Sequence, residues 1–284
     1  MTRPLAYLDR GTRLFWRMKG RPVDLSGEHR WLLGPSNHGP LVADSWLTDL
    51  ASTIGGTPSF GSEDGGILAD MARLNGPDFQ ASALNSGVRN FYQVTSQWDM
   101  DVSVRWNPAF KPGGAFISRF FGHRVEQLAI PTATGGRPQQ IRSKVVPICD
   151  ESGSQHAAAW LRTWQTTGKY VYSGCYSVRS LPGARQPCVH VAFPLQAGNV
   201  QVFLRPKVLP GGDLHLSSRS GSFGEPGTYV VVEESGRTYA ARAPIHEEFI
   251  VAANPDGTLR TEHSLRLWSA PVVQLRYRMR HRAG

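Results

Sequence analysis

From about residue 140 onward, polar and apolar residues alternate with a period of two in segment after segment. A strand turns successive side chains to opposite faces, so this period marks half-buried β-structure. It predicts strands near "KVVPIC", "KYVYSGCYSV", "CVHVAFPL", "VQVFLRPKV", "DLHLSS", "TYVVVEE", "RTYAARAP", "IHEEFIVAA", "TLRTEHSLRLW" and "VVQLRYRMR". Turn signals fall between them at intervals of roughly 8–12 residues, the spacing of an antiparallel meander, barrel or sandwich. Strand and helix do not alternate regularly, which disfavours a parallel α/β arrangement. The expected fold is mainly β, an antiparallel barrel-like or strongly curved sheet with several packed helices.

The first third reads differently. Residues 7–21, "YLDRGTRLFWRMKGR", set apolar positions among arginines, a packed stripe under a basic solvated face, with a membrane-surface helix as the other reading. "ADSWLTDLASTIGG" (43–56) predicts a helix capped by Asp44 and ended by Gly55 and Gly56. The glycine-rich "GTPSFGSEDGG" (56–66) reads as a solvated linker or a lid. Residues 86–97 predict a short helix leading into the strand "WDMDVSVRW", whose Asp99 and Asp101 fall on its polar side and so face solvent rather than form an acid–base pair. Helices are also expected over 114–130, stopped by Pro131, and over 154–167. Taken together, residues 1–284 read as one domain, with a helical and loop-like part over 1–95 and a β-rich body over 96–284.

One strand breaks its own pattern. In "TLRTEHSLRLW" (258–268), His263 shares a face with Leu259, Thr261, Leu265 and Leu267. His190 and His215, by contrast, point away from the apolar residues beside them. "NPDG" (254–257) is a strong turn signal. Pairing Asn254 with Thr258 sets Phe249 opposite His263 and Glu247 opposite Leu265. The two dry faces then coincide, which supports the register. Glu247 and His263 become diagonal neighbours, about 7–8 Å apart at the backbone. A buried charge is paired or neutralised. The pair therefore either satisfies itself and fixes the sheet, or presents a proton donor and acceptor to something in an apolar cavity. Tyr170, Tyr172 and Tyr176 share one face of their strand and can add hydrogen-bond donors, as can Tyr92; Phe249 would form part of the wall.

Composition narrows the classes. The net charge is +9, with 26 arginines among the 31 basic residues. They are scattered, and no zinc-finger or RNP-type motif accompanies them, so nucleic acid is disfavoured as a partner. A row of Arg276, Arg278 and Arg280 on the last strand reads as a charged outer face protecting a sheet edge. Three cysteines without CxxC spacing disfavour a disulfide scaffold and a thiolate zinc site. The N-terminus has no apolar h-region and no run of 18 apolar residues occurs, so neither a secretory leader nor a transmembrane helix is expected, and the expected location is cytoplasmic. The nucleotide, metal and serine-hydrolase motifs are missing, and the expected chemistry needs no cofactor.

The segments "VRNFYQVTSQWDMDVSVRW", "FISRFFGHRVEQLAIP" and "WLRTWQTTGKYVYSGCYSV" resemble uncharacterised proteins of GC-rich actinomycete-type bacteria. The chain also resembles the cofactor-free tailoring proteins of polyketide pathways, such as those that close spiroketal rings. This likeness runs over most of the chain and carries no catalytic residue across. It implies a hydrophobic, oxygenated, polyketide-like substrate. The expected function is a cofactor-independent cyclase or isomerase, with Glu247 and His263 moving the proton. A lipocalin-like carrier and a basic nucleic-acid or partner-binding module are the rivals.

Overall fold

The computed structural model describes residues 5–36, 44–61, 64–108, 141–164, 168, 170–219 and 221–282. Its helices are α1 (Leu5–Lys19), α2 (Trp46–Ile54) and α3 (Ser86–Gln93). Two very short strands, β1 (Arg21–Pro22) and β2 (Thr57–Pro58), precede β3 (Trp98–Trp106), β4 (Ile141–Cys149), β5 (Gln155–Trp164), β6 (Tyr170–Arg179) and β7 (Cys188–Leu195). The chain continues through β8 (Gly198–Val208), β9 (Leu214–Ser217), β10 (Thr228–Glu234), β11 (Arg237–Ala243), β12 (Ile245–Ala253), β13 (Leu259–Leu267) and β14 (Ala270–His281).

All fourteen described strands belong to one antiparallel sheet, eleven of them in the order β2-β4-β5-β6-β7-β8-β9-β12-β13-β14-β3. The sheet branches at β8. Its first half, Gly198–Val202, pairs with β10, which leads to β11 and β1. Its second half, Arg205–Val208, pairs on the same side with β9. At the far end β3 comes alongside β4 without a backbone ladder, so the sheet curves strongly but does not close.

The concave face carries the main core, which includes Val189, Val191, Val202, Leu204, Val251 and Met279. Residues from Ile67 to Tyr92, with α3 among them, pack into the same cluster and stop one end of it. On the convex face, Trp46, Leu47, Leu50 and Ala51 of α2 cover β4 to β7. Trp31 and Leu32 cover Phe203, Tyr229 and Val231 beside them, while Trp16 of α1 packs on the concave side, against Val230, Val232 and Ala243. Much of the sheet is therefore buried on both faces.

The structure departs from the sequence expectations at several points. Residues 154–167 were expected as a helix; through Trp164 they form β5 instead. Its Ala158 and Trp160 face the concave core, while Ala157, Ala159 and Leu161 lie under α2. Burial on both sides yields an unbroken apolar run, which lacks the period that separates strand from helix. The helix expected over 114–130 lies outside the described residues. Of the presumed linker, Thr57–Pro58 pairs with Cys149 and Ile148 of β4. Asp44 does not cap α2: the N-cap is Ser45, and the Asp44 carboxylate accepts from the Tyr170 hydroxyl at 3.1 Å. Gly55 does end α2, with φ of 67°. The arginine row lies on no edge, because β3 pairs beyond β14. Arg280 bonds Asp101 at 2.6 Å, Arg282 bonds Asp99 at 2.8 Å and Arg278 reaches Asp256 at 3.3 Å, an ion-pair ladder on the outer face. Asp99 and Asp101 are exposed there, as expected.

Candidate functional site: an apolar cavity with one polar wall

The pairing of β12 with β13 follows the expected register, with Phe249 opposite His263 and Glu247 opposite Leu265. Both polar residues face the concave side. His263 Nε2 lies 3.0 Å from Glu247 Oε2, and the two side chains are 11% and 15% exposed. Phe249 stacks on the imidazole, with ring centres 3.8 Å apart and planes 16° from parallel. This stacking and the carboxylate fix the ring between them. His263 Nδ1 is buried and has no hydrogen-bond partner. Ser218 on the neighbouring segment holds the backbone of Glu247 through its hydroxyl at 2.8 Å.

The pair lines a cavity of about 430 Å3 inside the curved sheet. Most of the wall is apolar, including Val191, Val202, Leu275, Phe193 and Met100. Polar atoms converge on one side. The Tyr172 and Tyr176 hydroxyls bond each other at 2.7 Å. Tyr277 of β14 and Arg162 of β5 join them. The Arg162 guanidinium carbon stands 3.8 Å from the centre of the Trp160 ring and 4.8 Å from that of Tyr172. Burial pushes the Tyr176 and Tyr277 phenols up to about 12, and burial raises Tyr172 and Tyr92 well above the usual range. All four phenols therefore remain protonated near neutral pH and act as hydrogen-bond donors.

Of the residues singled out in the sequence, Glu247, His263, Phe249, Tyr172, Tyr176 and Tyr92 all line this cavity. Tyr170 does not. A register shift between Arg162 and Thr163 breaks the alternation where β6 begins. Tyr170 is left exposed, with its hydroxyl on Asp44. The sequence reading missed Arg162 because it placed that residue in a helix; "AWLRTW" read with period two would have put Trp160 and Arg162 on one face. It also missed Tyr277 as a polar member of the wall. The convex-face His190 is not in a wet setting either. It is 1% exposed and stacked 4.6 Å from Phe203, with Nδ1 at 2.8 Å from the Ser177 hydroxyl and Nε2 at 2.7 Å from Gln201 Oε1. His215 does face outward and bonds Glu248 at 2.8 Å.

The other end of the cavity opens past Phe15 and Trp16 of α1 and past Trp268. Trp268 is 67% exposed and starts the two-residue turn between β13 and β14 with φ of 52°, a conformation that favours glycine. Leu14, Phe15 and Met18 of α1 are exposed as well.

Fold and site together define a mainly β, antiparallel protein built around a concave apolar cavity. One relative is the uncharacterised membrane protein YndJ of Bacillus subtilis (strain 168), 25% identical over 221 residues, which are 76% of this chain and 38% of that protein. The chain thus spans well under half the length of the curated relative it matches. No family model matches the chain. No solved structure matches it. The cytoplasmic expectation is overturned by this relative, which is named a membrane protein. Among the described residues no helix is long and apolar enough to cross a membrane, which says nothing about spans made of strands.

Proposed function

We propose that this protein holds an apolar small molecule on the concave side of its sheet. The observation that carries the reading is the cavity of about 430 Å3. Ligand sites occupy roughly 300–1,000 Å3 and combine apolar walls with a few convergent polar groups. Protein interiors otherwise pack as densely as organic crystals, so an empty void of this size costs stability. The exposed Leu14, Phe15, Met18 and Trp268 near its opening give an apolar molecule a path that avoids water. The membrane-protein name of the Bacillus relative supports a membrane as the source of such a molecule. Titration with the neutral dye Nile red should give saturable one-to-one binding with blue-shifted emission; a linear, unsaturable response would overturn the reading.

A second reading adds chemistry to the same cavity: cofactor-independent isomerisation or cyclisation of a hydrophobic, oxygenated, polyketide-like molecule. The placement of Glu247 and His263 on the cavity wall favours it, as does the resemblance to spiroketal-closing proteins. The pair would take a proton from carbon or oxygen and return it elsewhere, while the phenols orient an oxygen. Deuterium exchange at the acidic methylene of dodecane-2,4-dione in heavy water tests the chemistry. General acid–base catalysis is worth about 10²–10⁴. Glu247→Gln and His263→Gln should each lose most of that acceleration, and the double variant should lose little more, since residues acting as a unit are non-additive. Exchange no faster than in buffer would leave the carrier reading alone.

A further inference from the structure

Arg162 is the cavity's unexplained charge. It sits on the inner face of β5, in the corner between the Trp160 and Tyr172 rings, 3.8 and 4.8 Å from their centres. Contact with aromatic rings stabilises the positive charge but supplies no acceptor for the five N–H donors of a guanidinium. At least one of those donors lacks an acceptor. Arg162 Nε is buried without a hydrogen-bond partner. The Tyr277 hydroxyl is the polar group within its reach, and as a protonated phenol it offers no negative charge. Among the described residues no carboxylate lies within ion-pairing distance of Arg162. The nearby carboxylate on the wall, Glu247, is engaged by His263 at 3.0 Å.

A cation held in an apolar enclosure without a counter-charge is expensive, and one partner-less charge costs far more than a pair. The planar fork of arginine matches carboxylate and phosphate oxygens two at a time. We propose that Arg162 receives an anionic group, a carboxylate or a phosphate, at one end of a ligand whose remainder is apolar. This rests on the cavity reading and deepens it: the ligand is a single-chain anionic amphiphile. Its head lies against Arg162 with the Tyr277 hydroxyl donating beside it, and its chain runs along the valine and leucine wall toward Trp268. Contact with the two rings holds the guanidinium in place before the ligand arrives, which lowers the ordering cost of binding.

The test is displacement of Nile red by three chains of equal length: dodecanoate, dodecyl phosphate and dodecanol. In the parent protein at least one anion should displace the dye about tenfold better than the alcohol. Whichever anion wins tells a fatty acid from a lipid phosphate. In Arg162→Gln the preference should vanish while dodecanol displaces as before, and Arg162→Lys should retain part of it. Equal potency of all three chains in the parent would overturn the assignment while leaving the cavity reading intact, and needs no variant to be folded. A preference that survives in folded Arg162→Gln would overturn it as well. If no chain displaces the dye and the dye itself does not saturate, the cavity reading fails first and takes this one with it.

Discussion

At the scale of single residues, His190 shows how setting decides role. His190 is enclosed by Phe203, Ser177 and Gln201, and burial, aided by Arg179, pushes its imidazole down to about 3 from the ordinary 6.5. The unfolded chain protonates this residue at a pH where the folded protein does not. Its contribution to stability is therefore present above about pH 6.5 and is lost as the pH falls toward 3, by up to about 1.4 kcal/mol per unit. Denaturant melts between about pH 6 and 4 should show that slope, and His190→Gln should flatten it; an unchanged slope would contradict the assignment. Trp268 poses the opposite case. Exposed, and held at φ of 52°, it costs stability where it stands, a sign of a role outside the fold. Trp268→Gly should raise stability by about 1 kcal/mol and slow the uptake of apolar ligands. A variant destabilised by the change would show that the turn needs the indole for packing.

At the scale of elements, β12 and β13 were legible down to the register, because a turn signal and two independent alternations agreed. β13 keeps one wet face, with Arg260, Glu262 and Arg266 exposed, and the period survives in the sequence. β5 was not legible for the contrary reason. With the concave core on one side and α2 on the other, "AAAWL" carries no period. That error hid Arg162, and with it the charged part of the site. Tyr170 was misplaced by the irregular register beside Thr163, a feature that periodicity does not encode. The burial of β5 has a direct test: Ala159 is 0% exposed beneath α2, and Ala159→Leu should cost about 1–3 kcal/mol by overpacking. A neutral result in thermal melts would mean that α2 does not press on the sheet there.

At the scale of the whole molecule, the charge and the shape lead to different partners. The net charge of +9 suggests a polyanion, but Arg276, Arg278 and Arg280 on β14 are paired with Glu262, Asp256 and Asp101 across the outer face. Few phosphates can be contacted together, so binding to mixed DNA should be weak and vanish near physiological salt; tight, salt-resistant binding in a filter assay would contradict this. Shape points inward, to a curved sheet that stops short of filling its own hollow. The central claim is that this hollow is a ligand site, and blocking it tests the claim most directly. Val191 projects into the cavity from β7, and an aromatic residue is compatible with strand backbone. Nile red should bind the parent protein saturably and fail to bind Val191→Trp, while the far-ultraviolet dichroism of the two stays the same. Equal dye binding by both proteins would contradict the account, since the dye would then be sitting somewhere other than the hollow.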